Sequence, residues 1–411
     1  MTRNVVVTGI GMTTPLGGDV ASTWAQALAG QPGISQIPWP DWHPDQPAKI
    51  AGLMKVDPEE ILTRVEVRRM DRSEQCALIA AREAWADAGS PEMDPVRLGA
   101  VVASGIGGVN SLISAYETIK EKGPLRVSPH MVTMIMPNGP AAMVGLEVGA
   151  RAGVHTPVSA CASGAEAISY AARMIQSGRA DVVVTGGTEA CINSVTMAGF
   201  AAMRALSTRN DDPNTASRPY DLDRDGFVMA EGAGILILEE EEFARARGAR
   251  IYGRYGGAGL TSDGHHIAQP DPEGTGAARA MREAIEDAGL DLSSIVHVNA
   301  HATSTALGDY AESIALRAAL GSHIDQAIVS ATKAMTGHLL GGAGAVESIF
   351  SILALRDRIA PPTPNIFNFD PAIQLNVTAN GPVALPAGDI AALNNSFGFG
   401  GHDVALVFTS V

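Results

Sequence analysis

An α/β fold built from two similar halves is the architecture this 411-residue sequence predicts, and three observations predict it. Val- and Ile-rich runs, short enough to be buried strands, alternate with longer stretches that carry apolar residues at helical spacing, the pattern of a sheet covered by helices. Four elements then recur in one order in the second half of the chain. The composition, 46% hydrophobic and 18% charged, is that of a globular protein able to bury a large core.

In chain order, MTRNVVVTGIG enters strand-like sequence at once, without the apolar core and cleavage site of a secretory leader. TGIGMTTPLGG resembles the start of a dinucleotide loop, but Thr14 stands where the third glycine of GxGxxG belongs, and no helix clearly opens there. SGIGGVN fails in the same way and GxxxxGK[ST] is absent. No nucleotide cofactor is therefore expected, and these glycines are assigned to tight turns and close packing. A helix ending in WADAG (85–89) leads into the strand-like LGAVVASGIGG (98–108); its counterpart ends in IEDAG (285–289) and leads into IVHVNAHATST (295–305). Two strand-to-helix turns follow, VSACASGAEAI and VSATKAMTGHLLGGAGAVESI. The halves close with DVVVTGGTEA and ALNNSFGFGGHDVALVF. The duplication puts the boundary near ARARGARIYG (244–253) and defines halves of residues 1–248 and 249–411. A site they share would draw on the Cys161 turn of the first and the His301 and His338 turns of the second.

Composition excludes several classes of function. A formal net charge of −15 disfavours a nucleic-acid partner. Apolar stretches such as AAMVGLEVGARAGV are broken by Glu147 and Arg151, so no membrane span is expected and the chain reads as cytoplasmic. The three cysteines, 76, 161 and 191, form no CxxC pair, which argues against a disulfide framework and a zinc site.

Cys161 lies where the strand-like TPVSA meets a stretch with apolar residues at Ala165, Ile168, Ala172 and Ile175, the spacing of a helix. A thiol among small residues is ordinarily a buried hydrophobe, and that reading is taken for Cys76 and Cys191. At a helix mouth, however, unpaired N–H groups and the dipole favour a thiolate, and small neighbours let a carbonyl approach. His301 in NAHATST and His338 in TGHLLGG are each set among small residues at predicted strand ends rather than on a charged surface. Lys333, in SATKAMTG, needs a partner if it is buried, and Glu347 on the following helix is the candidate.

VSACASG, NAHATSTALGD, SATKAMTGHLLGGAGAVES and NNSFGFGGH together resemble the motif set of the beta-ketoacyl-acyl carrier protein synthases, elongating class. The similarity runs through nearly the whole chain, including MRALSTRNDDPNTASRPYDLDRDGFVMAEGAG (203–234). The HATST form and the NNSFGFGGHDVALVF ending are most similar to actinobacterial fatty-acid synthases; many relatives have glycine where Ala302 stands. The resemblance implies a thiolase-like fold with α-β-α-β-α layers, and carbon–carbon bond formation by decarboxylative Claisen condensation. It implies Cys161 as the acyl-accepting nucleophile, the N–H groups of Cys161 and Phe399 as oxyanion donors, and neutral His301 and His338 as donors to the malonyl thioester oxygen. Lys333 and Glu347 would orient His338 and set local charge, with Asp309 in a supporting place. Thr303 and Thr305 would meet the phosphopantetheine arm of the carrier, and the enzyme would bind no cofactor or metal of its own. Phe399, between Gly398 and Gly400, would be a swinging gate, and Ile106, Met136 and Phe200 would line the acyl tunnel. MIMPNG (134–139) would lie at a homodimer interface. TRVEVRRMDR gathers Arg64, Arg68, Arg69 and Arg72, of which Arg64, Arg68 and Arg72 would share one helical face; with Arg126 and Arg204 they would dock an acidic acyl carrier protein. A polyketide ketosynthase would use the same catalytic residues. A non-catalytic chain-length subunit lacks the cysteine, and a thiolase or initiating synthase pairs cysteine with other partners.

Overall fold

Ten strands carry the fold of the computed structural model, which describes residues 3–38, 43–379 and 381–411. The first half contributes β1 (Val5–Thr13), β2 (Leu98–Ala103), β3 (Gly153–His155), β4 (Val182–Glu189) and β5 (Gly232–Glu240). The second contributes β6 (Gly253–Ser262), β7 (Ile295–Asn299), β8 (Ile328–Ser330), β9 (Ala391–Gly398) and β10 (His402–Thr409). Their spatial order is β8-β7-β9-β10-β6-β1-β5-β4-β2-β3. Read outward from the centre, each half repeats the same order, 1-5-4-2-3 and 6-10-9-7-8, with parallel and antiparallel pairs in the same places. The half-sheets join edge to edge where Val5–Val7 of β1 pairs with Gly253–Tyr255 of β6. Between the halves, β5 ends at Glu240, a short helix runs Glu241–Ala246, and β6 opens at Gly253.

The helices of ten residues or more among the described residues are seven: α1 (Arg72–Asp87), α2 (Val109–Lys122), α3 (Gly139–Val148), α4 (Ser163–Gln176), α5 (Thr275–Asp287), α6 (Ala306–Leu320) and α7 (Ala343–Asp357). α1 and α3 cover the outer face of the first half, α5 and α6 that of the second, and α4 and α7 pack together between the two sheets. The thiolase-like, layered α-β-α-β-α fold implied by the motifs is therefore present. Every residue of α7 from Ala343 to Leu355 is buried, as expected of a helix with protein on all sides. α1 is started by a reciprocal capping box between Asp71 and Glu74 and buries Cys76, Ala77, Ala80, Ala81 and Ala84. β1 approaches it so closely that a Cβ on Gly9 or Gly11 would overlap the backbone of Ala84 or Ala80. The glycines of TGIG thus serve packing, although a helix does open after this loop, at Val20–Leu28 with Asp19 as its cap. Among the described residues, no helix is long and apolar enough to cross a membrane.

The duplication extends to the turns that launch the two central helices. A 3₁₀ turn at Ala160–Ala162 precedes α4 and one at Leu340–Gly342 precedes α7, and each begins with a non-glycine residue at positive φ, Ala160 (50°) and Leu340 (45°). Side chains avoid this region, so both turns are held strained by their surroundings. Cys161 occupies the place in the first turn that Gly341 takes in the second.

Candidate active site

Cys161 sits at the mouth of α4, but TPVSA is not a strand; β3 ends at His155, and the chain crosses to the sheet interior without ladder bonds before the turn. Ser163 knits the turn, its Oγ accepting from Ser159 N at 2.9 Å and donating to the Ala160 carbonyl at 2.6 Å. The backbone N–H groups of Phe399 and of Cys161 itself both point at the sulfur. That convergence requires β9 to pass almost through the turn, and Gly398 permits it, since a Cβ there would strike the Ser159 carbonyl and stand 3.2 Å from Cys161 N. Burial pushes the Cys161 thiol up to about 12, against the charge of Lys333 and the two N–H groups. The expectation of a resting thiolate is thereby corrected: the helix mouth opposes desolvation without overcoming it. Cys76 and Cys191 are fully buried and raised well above the ordinary thiol range, as structural cysteines are.

Opposite stand the groups of the second half. His301 lies two residues beyond β7, on a loop where Ala302 and Ser304 have positive φ, and Glu312 of α6 holds that loop by accepting from His301 N (2.8 Å) and Ala302 N (2.7 Å). Asn395 of β9 donates to the same carboxylate at 2.9 Å. His338 follows a one-turn helix, Lys333–Thr336, rather than a strand end, and is pinned by His338 N to the Val228 carbonyl (2.8 Å) and Ala230 N to the His338 carbonyl (2.9 Å). The two imidazoles meet edge to face, centroids 5.3 Å apart at 84°. Phe227 stands against His338 and Phe397 against His301. Burial, reinforced by the charge of Lys333, holds both imidazoles well below their ordinary range, so both are neutral at physiological pH.

Lys333 is 1% exposed and pairs with Glu347, as its sequence context suggested. Its second bond corrects the expected role: the ammonium donates to the His301 carbonyl at 2.7 Å, and no bond from Lys333 or Glu347 reaches the His338 ring. Thr303 and Thr305 share a hydrogen bond of 3.1 Å between their hydroxyls, and Thr305 also caps α6. Asp309 accepts from Tyr220 N (3.0 Å) and Ser304 N (3.1 Å) and lies 3.7 Å from Arg224; burial pushes its carboxyl up to about 7. It thus braces the Thr303–Thr305 loop from below.

Ile106 and Phe200 join Cys161 in one apolar cluster with Phe227 and Leu340, as a tunnel wall would. Met136 does not; it is 37% exposed on the turn before α3. Phe399 occupies the β9–β10 turn with its ring 6.3 Å from that of Phe200, and Gly400 (φ 96°) and Gly401 (φ 75°) follow it. The loop after β6 holds this turn: Asp263 N donates to the Gly401 carbonyl (2.9 Å) and Gly400 N to the Ile267 carbonyl (2.7 Å). Behind it the Asp403 carboxyl stands beside that of Asp263, both against Gly276. Burial and this like charge push Asp403 up to about 8, with Asp271 adding to the effect and Arg279 opposing it. A carboxyl raised in the fold above its ordinary value of 3.8 stabilises fully below that value and loses the contribution as pH climbs to about 8. Asp403→Asn, whose amide can donate to Asp263, is therefore expected to melt higher than wild type at neutral pH, by roughly 2–4 °C. The gap should close toward pH 4, which scanning calorimetry across that range would test.

The arginine stripe is corrected as well. The helix bearing Arg64, Arg68 and Arg69 ends at Arg69, Met70 is extended, and Asp71 caps α1, so Arg72 does not continue that face. Arg72 turns inward and chelates Glu231 through Nε (2.9 Å) and Nη2 (2.8 Å). Arg64, Arg68, Arg69, Arg126 and Arg204 are exposed. Sequence reading missed Glu312, whose only signal was an acid i+3 from Asp309 on the helix that follows the His301 loop, and Glu189, an acid closing a hydrophobic strand.

A buried thiol at a helix mouth, two neutral imidazoles in edge-to-face contact and a buried lysine, on a duplicated layered fold, are the parts of a condensing enzyme of the thiolase-like class. Residues 2–244 match the beta-ketoacyl synthase N-terminal domain and residues 252–367 the beta-ketoacyl synthase C-terminal domain, and the chain belongs to this family. It is 49% identical over 406 residues to the 3-oxoacyl-[acyl-carrier-protein] synthase 2 of Mycobacterium tuberculosis, covering 98% of this chain and 96% of that one. The Mycobacterium leprae protein of the same name is 47% identical over 407 residues, with the same coverage. Among solved structures, a beta-ketoacyl synthase from Burkholderia phymatum superposes with a TM-score of 0.90 at 36% identity over the whole of both chains. The type II polyketide ketosynthase AntDE, in complex with the acyl-carrier protein AntF and bound to the hexaketide, gives 0.93 at 30% identity, again over both whole chains.

Proposed function

We propose that the protein is a 3-oxoacyl-[acyl-carrier-protein] synthase of fatty-acid elongation, an acyltransferase working in the cytoplasm as a homodimer. The observation that carries this reading is the pair of backbone N–H groups converging on the Cys161 sulfur opposite neutral His301 and His338. An acyl group arrives as a carrier thioester; Cys161 sulfur attacks its carbonyl, the oxyanion takes the N–H groups of Cys161 and Phe399, and the carrier thiol leaves. Malonyl carrier then loses carbon dioxide, and the enolate left on its thioester oxygen accepts hydrogen bonds from the two imidazoles. Being neutral, these donate without adding two buried charges. The enolate carbon attacks the Cys161 thioester and frees the sulfur, lengthening the chain by two carbons. Lys333 holds the His301 loop and supplies the local positive field. Thr303 and Thr305 would meet the phosphopantetheine arm that the carrier delivers, so the enzyme needs no cofactor of its own. Ile106 and Phe200 would hold the acyl chain and Phe399 would gate it.

Dimerisation is supported by the exposed Leu112, Tyr116 and Ile119 of α2, by Val132 and Met136, and by the unpaired edge of β3. An acidic carrier would dock on Arg64, Arg68, Arg69, Arg126 and Arg204, with Arg72 reserved for Glu231. Reversing Arg68 and Arg69 to Glu is expected to raise KM for carrier substrates roughly tenfold or more while the melting temperature stays put; unchanged KM would remove the patch from the docking site.

The decisive experiment supplies malonyl carrier and a series of saturated acyl carriers and follows carbon dioxide release and 3-ketoacyl product. Condensation on ordinary saturated chains supports fatty-acid elongation and the series measures the tunnel. Turnover only of polyketide intermediates, or none with any chain, would overturn it.

A further inference from the structure

The last residue of β4, Glu189, is fully buried and takes no part in the chemistry above. Its carboxylate collects four donors. Oε1 accepts from Ser104 Oγ at 2.8 Å and Ile106 N at 3.3 Å; Oε2 accepts from Gly105 N at 2.9 Å and Gly341 N at 3.1 Å. Burial pushes its carboxyl up to about 7 against the pull of these donors, with no cation among the principal groups acting on it. A buried carboxylate without a counter-ion is expensive unless hydrogen bonds replace its water, which makes all four bonds stringent. The surroundings are shaped for it: a Cβ on Gly105 or Gly341 would stand only 2.8 or 3.0 Å from Oε2.

The donors come from two segments with different tasks. Ser104–Ile106 opens the loop whose Ile106 packs with Cys161 and Phe200 on the acyl side. Ser104 Oγ also accepts from Gly107 N at 2.9 Å, so the whole loop is organised around this carboxylate. Gly341 lies three residues beyond His338, in the strained turn whose Leu340 completes the same cluster. A third link is electrostatic, since the charge of Glu189 acts on the Cys161 thiol and raises it.

We propose that Glu189 is a positioning residue: one carboxylate ties the acyl-pocket wall at Ile106 to the turn that follows His338, fixing the acyl-holding and malonate-activating sides about Cys161. This rests on the condensing reading above. Glu189→Gln keeps the shape but removes the charge and offers one acceptor oxygen: with its NH₂ at the Oε2 place it faces Gly105 N and Gly341 N, and at the Oε1 place it faces Ile106 N, so in either pose the Ser104–Ile106 segment loses an acceptor.

The test compares wild type, Glu189→Gln and Ser104→Ala at a temperature where all are folded by circular dichroism. Acyl transfer to Cys161, malonyl-carrier decarboxylation and the pH profile of Cys161 alkylation by iodoacetamide are each followed; Cys76 and Cys191 are too buried to label. Glu189→Gln is expected to slow acyl transfer about tenfold or more, to slow decarboxylation as well where its NH₂ faces Gly341 N, and to shift the alkylation profile to lower pH, a shift that loosened packing around an intact charge does not give. Ser104→Ala loosens only the acyl side, removing one of its three bonds to Glu189 and the acceptor of Gly107 N, so acyl transfer should slow while decarboxylation stays within twofold. Both half-reactions within twofold of wild type in a folded Glu189→Gln, with an unshifted alkylation profile, would overturn the proposal. If that variant does not fold, Ser104→Ala decides alone, and unchanged acyl transfer or an equal loss in both half-reactions overturns it. A wild type that fails to condense sinks the condensing reading instead, and the alkylation shift still reads the Glu189–Cys161 link.

Discussion

Replacing Cys161 with alanine is expected to abolish acyl transfer and condensation, a loss on the order of 10³-fold or more, while the protein stays folded and still decarboxylates malonyl carrier. The split follows from geometry. The side chain is 9% exposed between two alanines, so losing the sulfur leaves little cavity. Neither remaining cysteine can substitute, both being fully buried. His301, His338 and Lys333 are held by Glu312, by backbone bonds with Val228 and Ala230, and by Glu347, and none of these bonds involves the thiol. Their task at the malonyl oxygen should therefore persist without an acyl acceptor. Mass spectrometry for the acyl-enzyme, with carbon dioxide and 3-ketoacyl product measured separately, would test it. A variant that condenses at the wild-type rate would strip Cys161 of its role. A companion expectation follows from burial: with the thiol held up at about 12, alkylation of wild type should be slow at pH 7 and rise about tenfold per unit through pH 10.

The duplicated architecture was readable because burial leaves a simple trace: valine runs for strands covered on both faces, small residues where helices cross, and the same order twice. The two histidines, the cysteine and the lysine were readable because polar groups among alanine and glycine have no solvent to explain them. What escaped had competing physics. The arginine stripe obeyed helical spacing, yet Asp71 and Glu74 form a capping box that starts a new helix, and Glu231, 159 residues away, drew Arg72 inward. The thiolate expectation weighed the helix mouth, a local feature, without the desolvation that only the assembled layers impose. The Lys333 partner was readable from a nearby helix; its bond to the His301 carbonyl was not, because it joins loops brought together by the parallel pairing of β7 with β8.

Lys333→Met is expected to cost both stability and turnover, and the two losses should separate on a second substitution. The methionine fills nearly the same volume but leaves Glu347 without its cation and His301 without the donor to its carbonyl. Breaking a buried ion pair from one side typically costs roughly 3–5 kcal/mol, because the orphaned charge stays desolvated. Burial already pushes the Glu347 carboxyl up to about 7 against the pull of Lys333, so without the lysine it rises further and is protonated at neutral pH. A carboxyl raised in the fold contributes stability below its ordinary value of 4.5 and loses it as pH climbs through the raised one. The deficit of Lys333→Met relative to wild type should therefore be largest near pH 8 and shrink toward pH 5. Adding Glu347→Gln removes the orphan and should restore most of the melting temperature at pH 8. Turnover should stay low, since the His301 loop is still unheld and the positive field beside the imidazoles is gone. That field helps keep both rings neutral, so their titration should also move up toward the ordinary range, visible by NMR of the ring protons. Wild-type melting and condensation in Lys333→Met would show the pair to be mere filling, whereas recovery of turnover along with stability in the double variant would reduce Lys333 to a counter-ion.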